Sequence, residues 1–298
     1  MSRGDRREAI FADDHDRQRF LDTLGEACAK TAWQVHAWCL MRNHFHMVVE
    51  TPQANLVAGM HWFLGVYTMR FNHRHQEFGH LFSGRYKALL VDGSGDGYLK
   101  TVCDYVHLNP VRAKLLAAGE GLRAYRWSSF PLYLSPPSGR PAWLRVDRVL
   151  GEWGIPKDSP AGRQQFERRL EARRQAGEQP DFDPYKAGWC VGSEEFREEL
   201  LAQVRETARP GHRGPEVRES AEAKAEGLVR EELERLGWSA DDLAARRKGD
   251  PQKLQIAQRL RRETTMTLAW IAGRLHMGVP SHLACLLHRR NKQAAGGG

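Results

Sequence analysis

Two histidines separated by one residue, His44 and His46, lie in the stretch MRNHFHMVVE, residues 41–50. If this stretch is a β-strand, side chains at positions i and i+2 share a face, so His44 and His46 stand together, roughly 7 Å apart along the strand. Phe45, Met47 and Val49 then point the other way, into a core. Two adjacent imidazoles are typical of a metal site, although an HxH triplet also arises by chance.

A second group of polar side chains has helical spacing in CDYVHLNPVRA, residues 103–113. Tyr105 and Asn109 are four residues apart and share a helix face. The Asn109 carbonyl oxygen is a plausible third ligand beside the two histidines. A free tyrosine has a pKa of about 10, so a nearby cation is needed to favour its nucleophilic phenolate form. The pattern predicts a metal that polarises a phosphate while Tyr105 attacks it.

The donor types favour particular ions but leave alternative residues open. Imidazoles suit Mn²⁺ and Zn²⁺, whereas phosphate and amide oxygens suit Mg²⁺ and Mn²⁺, so we expect Mg²⁺ or Mn²⁺. Tyr98, seven residues before Tyr105 on the same face, is the best rival phenol, and Tyr86 and Tyr125 are weaker ones. The remaining histidines of this region, His36 and His107, are expected to be structural.

Four ordered blocks carry a family resemblance: WCLMRNHFHMVV, GHLFSGRYKALLV, YVHLNPVRA and YRWSSFPLY. Together they resemble the single-tyrosine transposases with a His-apolar-His (HUH) motif, and within them the REP-associated tyrosine transposases. The resemblance runs from about Ser2 to Tyr133. It implies a ferredoxin-like sheet, a divalent metal on His44 and His46, Tyr105 as nucleophile and Asn109 completing the site.

The resemblance also implies a DNA substrate, and it shows that the first strand of this chain differs from that of the family. The family acts on single-stranded DNA next to palindromic hairpins, forming a 5′-phosphotyrosine and releasing a 3′-hydroxyl. Its first strand ends in a motif like Ser-Arg-Gly, and here the chain starts at Met1 with Ser2–Gly4, so we expect most of that strand to be missing. The alternative is therefore a non-catalytic or domesticated DNA-binding protein. Since each chain has one such tyrosine, cutting and rejoining suggest a homodimer.

The elements needed to position these residues can be read along the chain. Apolar spacing predicts helices over residues 15–30, 56–73 and 98–108, with Pro110 stopping the last. A hairpin over residues 33–51 with a turn at Arg42 and Asn43 lies between the first two helices, and residues 86–91 are strand-like. Helices alternating with antiparallel strands indicate an α+β fold.

The positive charge is concentrated at the C-terminal end. The chain carries a formal charge of +8, yet from Arg246 onward eleven Lys/Arg face only two Asp/Glu. Within this end, Thr267 can cap a helix that a glycine turn joins to a second helix from Ser281, which is the helix-turn-helix plan. The second helix would present Ser281, His282 and Arg289 to DNA, and a simple packing pair of helices is the alternative.

These patterns give three segments and a partner. We expect a transposase domain over 1–135, a helical or irregular linker over 136–215 and an all-α DNA-binding domain over 216–293. Further phosphate contacts are expected from four cations of the first domain: Arg42, Arg85, Lys87 and Arg112. No apolar run approaches the roughly 18 residues of a membrane span, and five scattered cysteines suggest no disulfide framework, so a cytoplasmic, nucleoid-associated protein is expected.

Overall fold

The computed structural model describes residues 1–117, 119–177, 190–207 and 215–295. The chain divides into two units. The first comprises Met1–Cys28, Trp33–Glu50 and Phe63–His212, and the second comprises Ala29–Ala32, Thr51–Trp62 and Arg213–Gly298. Among the described residues, none of the helices has both the length and the apolar character that a membrane crossing requires.

Strands and helices alternate in the first half, and helices dominate the second. The strands are β1 (Ser2–Arg3), β2 (Gln34–Met41), β3 (His44–Glu50), β4 (Leu90–Val91) and β5 (Cys190–Val191). The helices are α1 (Asp14–Thr31), α2 (Leu56–His75), α3 (Tyr98–Arg112), α4 (Phe130–Leu134), α5 (Asp147–Glu152), α6 (Pro160–Gln175), α7 (Glu194–Thr207), α8 (Pro215–Leu236), α9 (Ala240–Ala245), α10 (Pro251–Glu263), α11 (Leu268–Arg274) and α12 (Pro280–Ala295). This mixed arrangement confirms the predicted α+β class.

The main sheet is antiparallel with the strand order β1-β3-β2. The hairpin closes at Met41 opposite His44, as predicted. The expectation of a missing first strand is corrected in one respect, because Ser2 pairs with Phe45 and Arg3 with His44. Backbone groups of only two residues are enough to make this short edge strand. The predicted strand over 86–91 forms only at Leu90–Val91, and it pairs in parallel with β5 in a separate two-stranded sheet.

One face of the sheet carries an aromatic core. Phe45 points to this face, with its ring centroid 4.8 Å from that of Phe20 on α1 and 6.2 Å from that of Phe63 on α2. Tyr67 is fully enclosed, and its hydroxyl donates to the carbonyl of Ile10 over 2.6 Å. Edge-on and tilted ring pairs such as these stabilise beyond their buried area, so this face holds β3 rigidly.

The opposite face of the sheet packs against α3. Val48 lies on this face with the side chains of Ala37 and Cys39, and all three belong to the core that α3 enters with Val102 and Val106. Residues 144–170 contribute to the same core through Leu144, Val149, Leu150, Phe166 and Leu170. Part of the segment that the sequence presents as a linker therefore packs into the first unit, while the predicted domain boundaries stay predictions.

Helix α3 does not stop before Pro110, contrary to the prediction. It continues to Arg112, with Pro110 inside it. Proline costs a helix one N–H bond and crowds the preceding turn. Here the end is closed by the Ala113 amide, which donates to the Asn109 carbonyl over 2.9 Å, and the Leu115 amide, which donates to the Pro110 carbonyl over 2.9 Å. The extra turn decides where Arg112 lies.

The second unit has its own apolar core, built from α8 to α12. Thr267 caps α11, as predicted, accepting from the Trp270 amide over 3.2 Å. A turn through His276 (φ 51°) and Gly278 (φ 89°) leads into α12. Leu275, Met277 and Leu283 are buried beside this turn. The Lys253 side chain is also fully buried, with Nζ donating to the Arg246 carbonyl over 3.0 Å.

Candidate functional site

The first two alternate positions of β3 bring two imidazoles together. His44 and His46 lie on the face of the sheet that packs against α3, and their ring centroids are 5.1 Å apart. The rigid aromatic core behind Phe45 fixes the strand from the other side. His44 is further oriented by the Asn43 side chain, whose Oδ1 lies 2.8 Å from His44 Nδ1. The strand geometry that the sequence predicts for this pair is present.

Both imidazoles are neutral at physiological pH. Burial, with a contribution from the positive charge of Arg3, lowers the pKa of His44 to about 4. Burial also lowers the pKa of His46 to about 3, with repulsion from His44 and Arg112 adding to it. A neutral imidazole keeps a nitrogen lone pair for a metal ion, so this is the protonation state that a ligand requires.

Tyr105 reaches this pair from α3. Its ring centroid lies 5.7 Å from that of His46, in an edge-on arrangement. Asn109, which is 6% exposed, lies one turn later and donates through Nδ2 to the Tyr105 carbonyl over 3.0 Å. That bond does not use the Asn109 side-chain oxygen. The helix therefore supplies both the phenol and the amide that the spacing predicts.

Arg112 adds a cation to the same helix face. Its guanidinium carbon lies 4.6 Å from the Tyr105 ring centroid. Residues 105, 109 and 112 follow the i, i+4, i+7 spacing of one helix face, so this placement depends on α3 continuing through Pro110. The sequence predicts Arg112 only as a general phosphate contact. Its stacking on the tyrosine was not predicted, because proline normally ends a helix.

The donor chemistry can be tested against a divalent cation. Among the described residues, no three His, Cys, Asp or Glu side chains gather where they could hold a metal ion. The site therefore offers two neutral imidazoles and one amide oxygen, with no carboxylate. Such a set fits a cation that takes its remaining ligands from water and phosphate oxygens, which is how Mg²⁺ and Mn²⁺ usually bind at phosphate sites.

The rival residues have different surroundings, and the choice of Tyr105 over Tyr98 stays a prediction because both are partly buried against the same core. Tyr98 is partly buried against the core of the first unit, and the Tyr125 hydroxyl donates to the Leu40 carbonyl over 2.6 Å. His107 is fully buried with Nε2 2.9 Å from the Ser129 hydroxyl, and burial lowers its pKa to about 3. His36 Nε2 lies 3.1 Å from a Glu50 oxygen. Tyr86 is half-buried.

A buried ion pair supports the helix directly before the tyrosine. Asp104 is fully buried, its Oδ2 lies 2.5 Å from Arg173 Nη1 on α6, and its Oδ1 accepts from Trp153 Nε1 over 3.1 Å. Burial raises the pKa of Asp104 to about 7, although Arg173 opposes the shift. Sequence reasoning missed this pair because its partners are 69 residues apart.

The remaining predicted contact residues lie at the surface. Arg42, Arg85 and Lys87 are exposed in the first unit. Ser281, His282 and Arg289 are exposed on α12 in the second unit. His282 Nδ1 also lies 3.1 Å from the Met277 carbonyl, so part of its ring is used within the turn.

Comparison with protein families gives a match over the first part of the chain. Residues 1–109 match the family model described as "Transposase IS200 like". The matched segment includes both histidines and Tyr105, and it ends at Asn109. It supports a transposase or DNA-processing role. No curated protein and no solved structure matches the chain significantly.

Proposed function

We propose that the chain is a metal-dependent single-stranded DNA strand transferase of the REP-associated tyrosine type, acting beside palindromic hairpins through a 5′-phosphotyrosine on Tyr105. The observation that carries this proposal is the contact between Tyr105 and His46, with His44 5.1 Å further along the same face. A phenol beside two neutral imidazoles is suited to attack on a phosphate.

The transfer step is a displacement at phosphorus. The Tyr105 hydroxyl oxygen forms a bond to phosphorus as the bond from phosphorus to O3′ breaks. The electron pair of the broken bond stays on O3′, which takes up a proton to become a free 3′-hydroxyl, while the phenolic proton passes to solvent. Attack by another 3′-hydroxyl reverses the step and restores a phosphodiester, so joining needs no ATP.

Different residues have different roles in this step. His44, His46 and Asn109 would hold Mg²⁺ or Mn²⁺, which when bound would polarise the phosphate and neutralise its growing charge. Arg112 places its guanidinium over the phenol ring. The enclosed Phe45 and the Asp104–Arg173 pair hold the strand and the helix that carry these groups. Cutting and rejoining two strands with one tyrosine per chain implies a homodimer.

The second unit supplies duplex binding in this proposal. Its two helices α11 and α12 are joined by a tight turn, and Ser281, His282 and Arg289 are exposed on the second of them. A helix of this kind, entered from a short turn, fits the major groove of a hairpin stem. The excess of basic residues after Arg246 supports a polyanionic partner.

Trapping the covalent adduct tests the nucleophile. Wild-type protein incubated with hairpin-bearing single-stranded DNA and Mn²⁺ should give a protein–DNA adduct that survives denaturing electrophoresis. Tyr105→Phe removes one oxygen and should abolish the adduct, while Tyr98→Phe should leave it. An adduct that persists in Tyr105→Phe and disappears in Tyr98→Phe would mean that Tyr98 is the nucleophile.

Removing a predicted ligand tests the metal. His44→Ala should lower metal-dependent cleavage by about 100-fold or more, because a bound cation supplies several kcal/mol of charge stabilisation. His36→Ala provides a control for removal of an imidazole from the neighbouring strand. Cleavage by the wild type that is unaffected by EDTA would rule out the metal. Tight DNA binding without any cleavage would instead favour a non-catalytic DNA-binding protein.

A further inference from the structure

Phe78 is the most exposed large apolar side chain among the described residues, with 98% of its surface open to solvent. It lies in the loop after α2, between Gln76 (φ 55°) and Gly79 (φ 98°). The loop is tied at both sides, since the Asn72 side chain donates to the Gly79 carbonyl over 3.0 Å and the Glu77 amide donates to the Asn72 carbonyl over 3.0 Å. The ring is thus held outward by an anchored backbone.

Exposed cations without acidic partners accompany this ring. None of them forms an ion pair with a residue that the structure describes, and all are solvent-exposed: Arg3, Arg6, Arg7, Arg42, Arg85 and Lys87. Elsewhere in the first unit, cations such as Arg74 and Arg140 are paired with Asp13 and Asp158. Asp5, Glu8 and Glu77 lie in the same segments, so the six cations leave an excess of positive charge that attracts a polyanion.

Backbone hydrogen bonds bring the cations to one edge of the sheet. The Ser83 amide donates to the Arg3 carbonyl over 2.9 Å, which sets segment 81–87 beside β1. The Ile10 amide donates to the Arg42 carbonyl over 3.1 Å, which sets the hairpin turn beside residues 4–10. Phe78 precedes Leu81 by three residues, a span of at most about 10 Å.

The same edge ends at the candidate site. Arg3 is paired directly with His44 in the sheet register. A strand of DNA that follows these cations is therefore led to the two imidazoles.

Two of the cations have an unfavourable backbone conformation. Arg6 (φ 47°) and Arg7 (φ 65°) both have left-handed conformations that are costly for residues with side chains. The tight turn needs Gly4, because a Cβ there would lie 2.2 Å from the Glu8 carbonyl oxygen. The Asn43 side chain holds the turn by donating to the Arg7 carbonyl over 3.0 Å.

We infer that this edge binds an unpaired DNA strand, with a base stacked on Phe78 and the backbone phosphates on the six cations. The inference rests on the proposed function and adds the path of the strand that leads to the site. A solvent-exposed ring can stack on a base only where the base face is free, so the partner is single-stranded rather than duplex DNA. The arginines and the lysine supply the sequence-independent phosphate contacts.

The test measures binding without cleavage in the full chain. All variants carry Tyr105→Phe, and EDTA is present, so that affinity is read separately from the proposed chemistry. Phe78→Ala should weaken binding of a fluorescent single-stranded oligonucleotide by roughly tenfold, the range of a lost base stack, and Phe78→Trp should retain it. Met69→Ala is the matched control, because Met69 is 63% exposed on α2 and should change nothing.

Two further arms locate the contacts. An oligonucleotide that lacks the stacked base should bind wild type and Phe78→Ala with equal affinity. Duplex DNA, whose bases are already stacked, should also bind the two proteins with equal affinity. Arg6→Gln and Arg7→Gln should each reduce the salt slope on single strands by about 0.7. Arg123→Gln, which removes a cation already paired with Glu167 over 3.0 Å, should not.

Distinct results would overturn the inference. Unchanged single-strand affinity in Phe78→Ala, or an equal loss of affinity for duplex DNA, would each exclude base stacking at Phe78. Because binding is measured without the nucleophile, the inference fails or survives independently of cleavage. If the wild type forms no covalent adduct with DNA, that result would count against the proposed function and not against this inference.

Discussion

Tyr105 contacts both an imidazole and a guanidinium, and this is the residue-scale feature that most favours chemistry. The His46 ring centroid is 5.7 Å from its own, and the Arg112 guanidinium carbon is 4.6 Å from it. A cation held over the phenol ring is placed to balance the negative charge that builds on an attacked phosphate. Neutral His46 adds no competing positive charge before a metal binds.

At this scale we predict that Arg112 contributes to the transfer rate. Arg112→Gln removes the charge but keeps much of the side-chain length, and it should lower the rate of adduct formation by about 10- to 100-fold, as when one charge-stabilising group is lost. Arg112→Lys should recover part of that rate. Single-turnover kinetics at saturating DNA provide the measurement.

A matched substrate separates catalysis from folding. With a methylphosphonate at the cleaved position, the phosphate charge is gone, so wild type and Arg112→Gln should react at nearly the same rate. A full rate difference on this neutral substrate would show that Arg112 acts on the fold of α3 instead.

At the scale of elements, the pair that Asp104 makes with Arg173 links α3 to α6. Asp104 is fully buried and its pKa is raised to about 7. The unfolded carboxyl titrates near 3.9, so between about pH 4 and pH 7 the folded state binds the additional proton. The free energy of unfolding should therefore fall as the pH rises through this window, and become level above it.

We predict that Asp104→Asn removes this pH dependence. The amide cannot titrate but can still accept a hydrogen bond from Trp153 Nε1. In urea unfolding at pH 5, 6, 7 and 8, the stability of the wild type relative to Asp104→Asn should decline by up to about 1.4 kcal/mol per pH unit until pH 7. Parallel stability curves for the two proteins would show that Asp104 is ionised throughout.

At the scale of the whole molecule, the C-terminal excess of positive charge belongs to a folded unit with its own core. This unit also includes residues 29–32 and 51–62, so a deletion from residue 221 would remove packing partners of earlier segments. Substitutions at exposed positions change the charge of this unit without removing its packing contacts. Lys248 lies against the turn between α11 and α12, since a Cβ at Gly278 would be 3.3 Å from its Cδ.

We predict that exposed cations of this unit determine the salt dependence of hairpin binding. Changing Arg247, Lys248 and Arg289 to Gln should reduce the slope of log K against log salt by about 0.9 for each lost duplex contact. The adduct-forming rate at saturating DNA should hold. Arg235→Gln is the control, because Arg235 is paired with Glu232 over 2.7 Å. An unchanged slope in the triple variant would identify α11 and α12 as a packing pair.

The sequence by itself determined the elements and the local pairings of the site. Alternation in HFHMVVE sets His44 and His46 on one face, and the four-residue spacing sets Tyr105 with Asn109, because strand and helix periods are local properties of the backbone. The hairpin turn, the cap at Thr267 and the α+β class follow from the same kind of short-range information. The family resemblance added the order of the motifs.

Only the tertiary structure decided the rest. That the β3 face meets the α3 face, that Arg112 reaches Tyr105 through a helix continuing past Pro110, and that Arg173 reaches Asp104 across 69 residues all depend on packing between distant segments. The same is true of the two-residue strand β1, which forms because β3 offers it a free edge. Periodicity specifies which side of an element is apolar, but not which other element covers it, and contacts of long sequence separation carry no local signal.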